Sequence, residues 1–239
     1  LLHCSCALRY TRSAQEQWSS GAPGPPDHPR RHVQPTAPEP QPLKHPVHVA
    51  LLKKGVDGPG VWADLGSGTG AFTLALADLL GPEGEIFSLD KDAGALRQQE
   101  RAMGARFPEV RVHYLVADLS KPAAQAGVGQ PFPEMPPLDG VVAANVLHFF
   151  RDKGPVLNRI RAALKPGGRL LVVEYNADRG NPWVPHPFSY RTWETLAARH
   201  GFAGTRLMAT RPSRYLRQIY AAMSLRAETA EPAATPPPW

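Results

Sequence analysis

Short apolar runs alternate with segments of helical periodicity along residues 46–225. The apolar runs predict buried strands, and apolar residues recurring every three or four positions predict helices with one packed face. The predicted strands are 61–65, 85–89, 110–116, 138–144 and 169–175, and the predicted helices are 46–54, 71–80, 92–103, 154–164 and 190–200. Regular alternation of strand and helix is typical of an α/β fold with a parallel sheet.

The last elements break this alternation. Residues 204–210 and 213–223 are both strand-like and are separated by Arg211-Pro212. Two strands joined directly predict an antiparallel hairpin at the end of the sheet, with the turn at Arg211-Pro212. The first helix, 46–54, is expected either to lie over a ligand pocket or only to pack on the sheet.

The two ends of the chain differ from this body. Eight of the first 43 residues are proline, and this segment has no apolar periodicity, so we predict a disordered Pro-rich tail at 1–43. A second such tail is predicted at 228–239, which leaves 44–227 as one domain. The only cysteines, Cys4 and Cys6, are expected to be an exposed pair and not metal ligands. A body without cysteine fits a cytoplasmic protein.

A glycine-rich turn follows the first predicted strand and marks the candidate ligand site. Asp64 precedes glycines at alternate positions, Gly66, Gly68 and Gly70, with Ser67 among them. Such a turn into a helix lets the backbone approach a bound molecule closely. The spacing fits a dinucleotide fingerprint and also the D-x-G-x-G-x-G pattern of S-adenosylmethionine (SAM) enzymes. Asp64 favours SAM, because a carboxylate attracts an ammonium and a sulfonium and repels a pyrophosphate.

Two further acids end the next two predicted strands. Asp90 follows Asp64 by 26 positions, a spacing at which a carboxylate meets a ribose in nucleoside-binding folds. Asp118 ends the third strand and is placed to accept from an adenine amine. The alternatives are a surface acid beside Lys91 for Asp90 and a turn cap for Asp118. Lys91 and Leu119, which directly follow these acids, are assigned to the same predicted pocket.

The fourth predicted strand leads into Asn145-Val146-Leu147-His148. His148 lies where a substrate is expected, and imidazole exchanges protons near neutral pH, so His148 is the candidate general base. The alternative is a structural histidine. Phe149 and Phe150 are expected to pack in the core, and a wall of the substrate site is the alternative.

These features together resemble the class I SAM-dependent methyltransferases. The resemblance covers about residues 46–225 and rests on the glycine turn, Asp90, Ala117-Asp118, 138–145 and Leu164-Lys165-Pro166-Gly167-Gly168. It implies a Rossmann-like, seven-stranded, mostly parallel sheet with helices on both faces and a C-terminal antiparallel hairpin. It also implies SAM as cofactor, with the methionyl end at Asp64 and the glycines, the ribose at Asp90, the adenine at Asp118, and Asn145 lining the pocket.

The resemblance is nearest to the small-molecule branch that includes ubiquinone and menaquinone biosynthesis enzymes. The Asn-Pro-Pro-Tyr motif of amino-methylating enzymes is absent after the fourth strand, as is a cysteine for covalent attack on pyrimidines. We therefore expect an enzyme that methylates a small-molecule acceptor. A non-catalytic SAM-binding protein and an NAD-type oxidoreductase are the alternatives.

The charge leaves one further alternative open. The chain carries a net charge of +6, and most of the excess consists of arginines after residue 190. Such arginines usually form a solvated face, but RNA methylation is the competing interpretation. No run approaches the roughly 18 apolar residues of a membrane-spanning helix.

Overall fold

A single seven-stranded sheet forms the centre of the computed structural model, which describes residues 44–121, 132, 135–213 and 215–228. The strands lie in the order β3-β2-β1-β4-β5-β7-β6, and β7 is antiparallel to both of its neighbours. They are β1 (Val61–Leu65), β2 (Glu85–Asp90), β3 (Arg111–Val116), β4 (Leu138–Ala144), β5 (Leu164–Tyr175), β6 (Phe202–Ser213) and β7 (Arg217–Arg226).

The helices follow the strands as the periodicity predicts. They are α1 (His45–Leu52), α2 (Ala71–Leu80), α3 (Ala93–Arg106), α4 (Gly154–Ala163) and α5 (Tyr190–Arg199). Ser189 caps α5, because its hydroxyl accepts from the Thr192 amide. The mostly parallel α/β fold with a terminal hairpin is confirmed, and the predicted tails lie outside the described residues except for Glu228.

The core consists of two apolar layers, one on each face of the sheet. Alternate residues of a strand point to opposite faces, so Leu170 and Val172 pack in one layer while Leu171 and Val173 pack in the other. The first layer includes side chains of α4 and α5, and the second includes side chains of α1, α2 and α3. Helix α1 packs mainly on α2.

The sheet topology determines where a ligand binds. From β1 the chain moves outward through β2 to β3 and then returns to place β4 on the other side of β1. At such a switch point the connections leave in opposite directions and open a crevice at the carboxyl ends of the strands. Each site residue predicted from the sequence follows or ends one of β1, β2, β3 and β4.

The predicted turn of the hairpin is wrong. Arg211 and Pro212 lie inside β6, where they pair with Ile219 and Gln218 of β7, and the turn comes after Ser213. Proline lacks the N–H that an interior strand needs, but β6 is an edge strand and tolerates it.

Strand β5 also begins earlier than predicted. Leu164 pairs with Leu138, and the register shifts before Arg169 pairs with Gly140. The glycines and proline of Leu164-Lys165-Pro166-Gly167-Gly168 therefore form an irregularity within the strand pairing.

No helix of the described residues is long and apolar enough to cross a membrane.

Gly140 tests the packing of the sheet. A Cβ at Gly140 would lie 2.3 Å from Cζ3 of Trp62, which is buried on the adjacent strand. We expect Gly140→Ala to lower the free energy of unfolding by about 1–3 kcal/mol, because the indole must move. Gly104→Ala is the control, because a Cβ at this position of α3 would meet open space. Alanine there should raise the free energy of unfolding by about 0.5–1 kcal/mol. Urea denaturation measures both, and equal effects would contradict this packing.

Candidate functional site

The glycine turn between β1 and α2 has the shape of a ligand cradle. Gly66, Gly68 and Gly70 have φ angles of +68°, +55° and +90°, a region that favours glycine. A Cβ on Gly66 would lie 2.5 Å from Val146, and one on Gly70 would lie 2.4 Å from Gln99. A Cβ on Gly68 would meet no atom within 4 Å. The turn is therefore packed against protein at its two ends and borders open space in its middle.

Asp64 lies beneath this turn and is almost completely buried. Its Oδ2 accepts a hydrogen bond from the Thr73 hydroxyl at 2.6 Å. Burial raises the pKa of Asp64 to about 7, and the charge of Asp90 also raises it, while the Thr73 bond acts in the opposite direction. The carboxyl is thus poised between its neutral and charged forms near neutral pH.

Asp90 joins the glycine turn to the start of α3. Its Oδ2 accepts from the Gly68 amide at 2.8 Å, and its Oδ1 accepts from the Asp92 amide at 2.8 Å. An ionised carboxylate offers about four acceptor positions, so capacity remains for ribose hydroxyls. The structure places Asp90 directly against the open centre of the turn, and its ribose role stays a prediction.

A buried polar network, which the sequence pattern did not predict, supports the turn from below. The Ser88 hydroxyl donates to Ser67 Oγ at 2.7 Å and accepts from Gln99 Nε2 at 2.8 Å. Ser88 and Gln99 are completely buried. A serine inside the apolar strand β2 was the available signal, because a buried hydroxyl needs a partner.

Asp118 forms the turn that was the structural alternative. Its Oδ1 accepts from the Ser120 amide at 2.9 Å and from the Ser120 hydroxyl at 2.6 Å. These hydrogen bonds lower the pKa of Asp118, and the charges of Lys121 and Lys91 act in the same direction. Leu119 is buried in the core. The adenine role of Asp118 and the pocket roles of Lys91 and Leu119 stay predictions.

Asn145 provides an unsatisfied acceptor immediately after β4. Its backbone has a φ of +53°, and its Oδ1 is buried with no hydrogen-bond partner in the described structure. A buried amide oxygen without a donor is costly, and a ligand donor would relieve that cost. Asn145 and the open side of Gly68 both fit an adenosyl ligand in the crevice between β1 and β4.

His148 forms a buried pair with a carboxylate that the sequence analysis did not select. The residue is 3% exposed, and its Nδ1 lies 2.8 Å from Glu174 Oε2. The His148 amide also donates to Glu174 Oε1 at 3.2 Å. An ionised carboxylate can only accept, so a neutral imidazole paired with it carries its hydrogen on Nδ1 and keeps a lone pair on Nε2. A lone acid at the end of the apolar strand β5 was the signal for Glu174.

Aromatic rings surround this pair. The His148 ring lies 4.3 Å from the Phe149 ring and 5.8 Å from the Tyr175 ring, measured between centroids. Phe149 is 44% exposed, so its predicted place in the core is wrong, whereas Phe150 packs against the core. The 3₁₀ helix Leu147–Phe149 buries Leu147 and His148 and turns Phe149 toward solvent.

Metal ligands do not accompany these groups. Within the described part of the chain, no cluster of three or more His, Cys, Asp or Glu side chains could hold an ion. Cys4 and Cys6 lie outside the described residues.

Comparison with known proteins identifies the domain. A family model described as a methyltransferase domain matches residues 63–170, which include the glycine turn, His148 and the start of β5. Over these residues the chain is similar to methyltransferase domains, which supports the expected class I SAM-dependent methyltransferase. Its cofactor is accordingly SAM, and the residues at the crevice fit that ligand.

Two characterised proteins are similar to this chain in sequence. A highly reducing polyketide synthase, aurA of Calcarisporium arbuscula, is 30% identical over 63% of this chain and 7% of its own length. The ubiquinone/menaquinone biosynthesis C-methyltransferase UbiE of Pasteurella multocida is 34% identical over 47% of this chain and 39% of its own length. This chain thus spans less than half the length of either relative.

A solved structure confirms the fold of the methyltransferase domain. The crystal structure of the CurJ carbon methyltransferase superposes with a TM-score of 0.59 and 17% sequence identity. The match covers 75% of this chain and 54% of that one.

The raised pKa of Asp64 predicts how SAM affinity depends on pH. Below about pH 7 the Asp64 carboxyl becomes neutral, and on the predicted contact with the methionyl end it would no longer attract the ammonium and sulfonium of SAM. We expect the dissociation constant of SAM to fall as the pH rises from 5.5 to 7, by up to about tenfold per unit. Calorimetric titration measures it. In Asp64→Asn this dependence should disappear, and an equally flat profile in the unmodified protein would contradict the prediction.

Proposed function

We propose that this chain transfers the methyl group of SAM to a weakly acidic carbon of a small-molecule acceptor. The observation that carries the proposal is the buried pair of His148 and Glu174, with Nδ1 and Oε2 2.8 Å apart. A methyl transfer needs a base only when the acceptor must lose a proton. A histidine held by a buried carboxylate beside the cofactor crevice supports such an acceptor.

The side chains of the pair have separate tasks in this proposal. Glu174 holds the imidazole in one tautomer and stabilises the imidazolium that forms when His148 takes a proton. Nε2 of His148 removes the proton from the acceptor carbon and later releases it to solvent. SAM, when bound, supplies an electrophilic methyl group on its sulfonium and leaves as S-adenosylhomocysteine.

The remaining site residues are assigned to binding of SAM. We assign the methionyl end to Asp64, Gly66, Ser67, Gly68 and Gly70. The ribose is assigned to Asp90 and Lys91, the adenine to Asp118 and Leu119, and the inner wall of the pocket to Asn145. The open side of the glycine turn and the carboxylates at the crevice hold the cofactor while the buried pair faces the acceptor, so positioning supplies much of the acceleration.

The names of two relatives and the aromatic surroundings of His148 favour carbon as the acceptor atom. The similar UbiE protein is named a C-methyltransferase, and another relative is a polyketide synthase. The aromatic side chains of Phe149 and Tyr175 around His148 suit a flat, largely apolar acceptor. A 1,3-dicarbonyl compound and a hydroxylated aromatic ring both present acidic C–H bonds of this kind.

The bounds of the domain and the location of the protein are also proposals. Residues 44–227 are proposed as the methyltransferase unit, and a cytoplasmic location is proposed from the absence of cysteine in that body. RNA methylation is supported only by the net charge of +6, and SAM binding without catalysis has no specific support at the described site.

The test removes each member of the pair separately. The full chain is assayed for S-adenosylhomocysteine formation with 2,4-pentanedione, an acetoacetyl thioester and a 1,4-naphthoquinol as acceptors. We expect His148→Ala and Glu174→Gln each to lower kcat by at least about 10²-fold, with SAM affinity within threefold of the original, because the pair acts on the acceptor.

His113→Gln is the matched control for that assay. His113 lies in β3 at the edge of the sheet, where its Nε2 lies 2.7 Å from Glu85 Oε1. Its activity should be unchanged. Turnover of His148→Ala near the original rate would remove the base, and the absence of SAM binding by the folded chain would remove the methyltransferase proposal as a whole.

A further inference from the structure

Lys153 is a lysine in an unusual place. It lies between the 3₁₀ helix that carries His148 and the start of α4, and it is only 8% exposed. Lysine is almost never buried unless its ammonium is paired, because removal of a charge from water is costly. The groups that hold this ammonium therefore indicate what the charge does.

Three contacts surround the Lys153 ammonium. Nζ donates to the carbonyl oxygen of Phe150 at 2.9 Å and to the carbonyl oxygen of His186 at 3.0 Å. It also lies 4.9 Å from the centre of the Phe188 ring, within the range of a cation–π contact. These partners belong to two separate segments of the chain, so the ammonium joins them.

Hydrogen bonds also hold the backbone around His148. Phe150 ends the turn that begins at Leu147, and its amide donates to the Leu147 carbonyl at 3.1 Å. The His186 amide donates to the carbonyl of His148 itself at 3.0 Å. Lys153 therefore closes a ring of hydrogen bonds that fixes the backbone on both sides of the candidate base.

The surroundings of Lys153 act on its charge in two directions. Burial lowers the pKa of Lys153, and the negative charges of Glu174 and then Asp152 oppose that effect. A neutral side chain of similar length would keep the packing but would lose the ring of hydrogen bonds.

We propose that Lys153 is a positioning residue for proton removal by His148, because its ammonium clamps the turn 147–150 to the segment 181–188. The catalytic part rests on the proposed function, because it assumes that His148 acts as a base. The clamp itself depends only on the hydrogen bonds of the folded chain. Two measurements therefore test the two parts separately.

The kinetic test uses the full chain with Lys153→Met, which keeps the aliphatic stem and removes the charge. We expect kcat with the best acceptor of the set above to fall on the order of 10²-fold, because small displacements of a reacting group are costly. The dissociation constant of SAM should stay within threefold. Lys165→Met is the matched control, since Lys165 forms a half-exposed ion pair with Asp139 and should tolerate the change.

A chemical rescue distinguishes the charge from the packing. Lys153→Cys treated with 2-bromoethylamine carries an ammonium on a side chain of nearly the same length as lysine. We expect treatment to raise its kcat at least tenfold, while the unmodified chain, whose Cys4 and Cys6 react in the same way, should not gain. Loss of kcat in Lys153→Met without rescue would overturn the role of the charge, and unchanged kcat would overturn the catalytic part.

Hydrogen exchange tests the clamp without any acceptor. In Lys153→Met, peptides that contain the amides of His186 and Phe150 should exchange at least tenfold faster, whereas peptides of the glycine turn 66–70 should not change. Equal exchange in both proteins would overturn the clamp. A faster exchange in a chain that methylates none of the acceptors would support the clamp while contradicting the proposed function, so the two failures are distinguishable.

Discussion

A fully buried carboxylate at the end of a central strand is the constraint on which the candidate site depends. Glu174 has no exposed surface, and an ionised group in such a place is stable only when hydrogen-bond donors meet it. His148 meets it twice, through its ring and through its backbone amide. The short 3₁₀ helix after β4 places both of these donors against the carboxylate. The ammonium of Lys153 donates to the carbonyl at the end of that helix and holds it in place.

The cofactor side of the crevice follows a different principle. There a carboxylate and a buried polar network hold the backbone of the glycine turn, against which SAM is proposed to bind. Asp90 accepts from the Gly68 amide, and the network of Ser67, Ser88 and Gln99 supports the turn from below. Gly66 and Gly70 are needed because neighbouring side chains leave no room for a Cβ, whereas the space at Gly68 is open. The switch point between β1 and β4 sets this rigid cradle beside the buried pair.

The sequence contained most of the fold because its local signals agree with one another. Apolar periodicity, the glycine turn and the caps all indicated the same α/β arrangement, and α2 and β4 have the predicted limits. The turn of the final hairpin was misplaced because proline usually marks a turn, whereas an edge strand also accepts it. Whether a strand lies at the edge depends on the strand order of the whole sheet, which the local sequence does not reveal.

The site was predictable where one segment forms it and not where several segments meet. The glycine turn is continuous in sequence, so its residues could be chosen by spacing. Glu174 becomes the partner of His148 only because β4 and β5 are adjacent, and Lys153 reaches His186 only after the 181–188 segment folds back. Asp118 shows the opposite case, in which a residue singled out for ligand binding also satisfies a local turn.

The nitrogen resonances of the His148 ring test the central claim most directly. In ¹⁵N-labelled full chain at pH 8.5, with His148→Gln used for assignment, the neutral ring should carry its hydrogen on Nδ1, because Glu174 accepts there. Nε2 would then show the shift of an unprotonated nitrogen and be available as the base. A ring protonated on Nε2 and bare on Nδ1 would contradict the account, because the nitrogen facing the acceptor would already hold a proton.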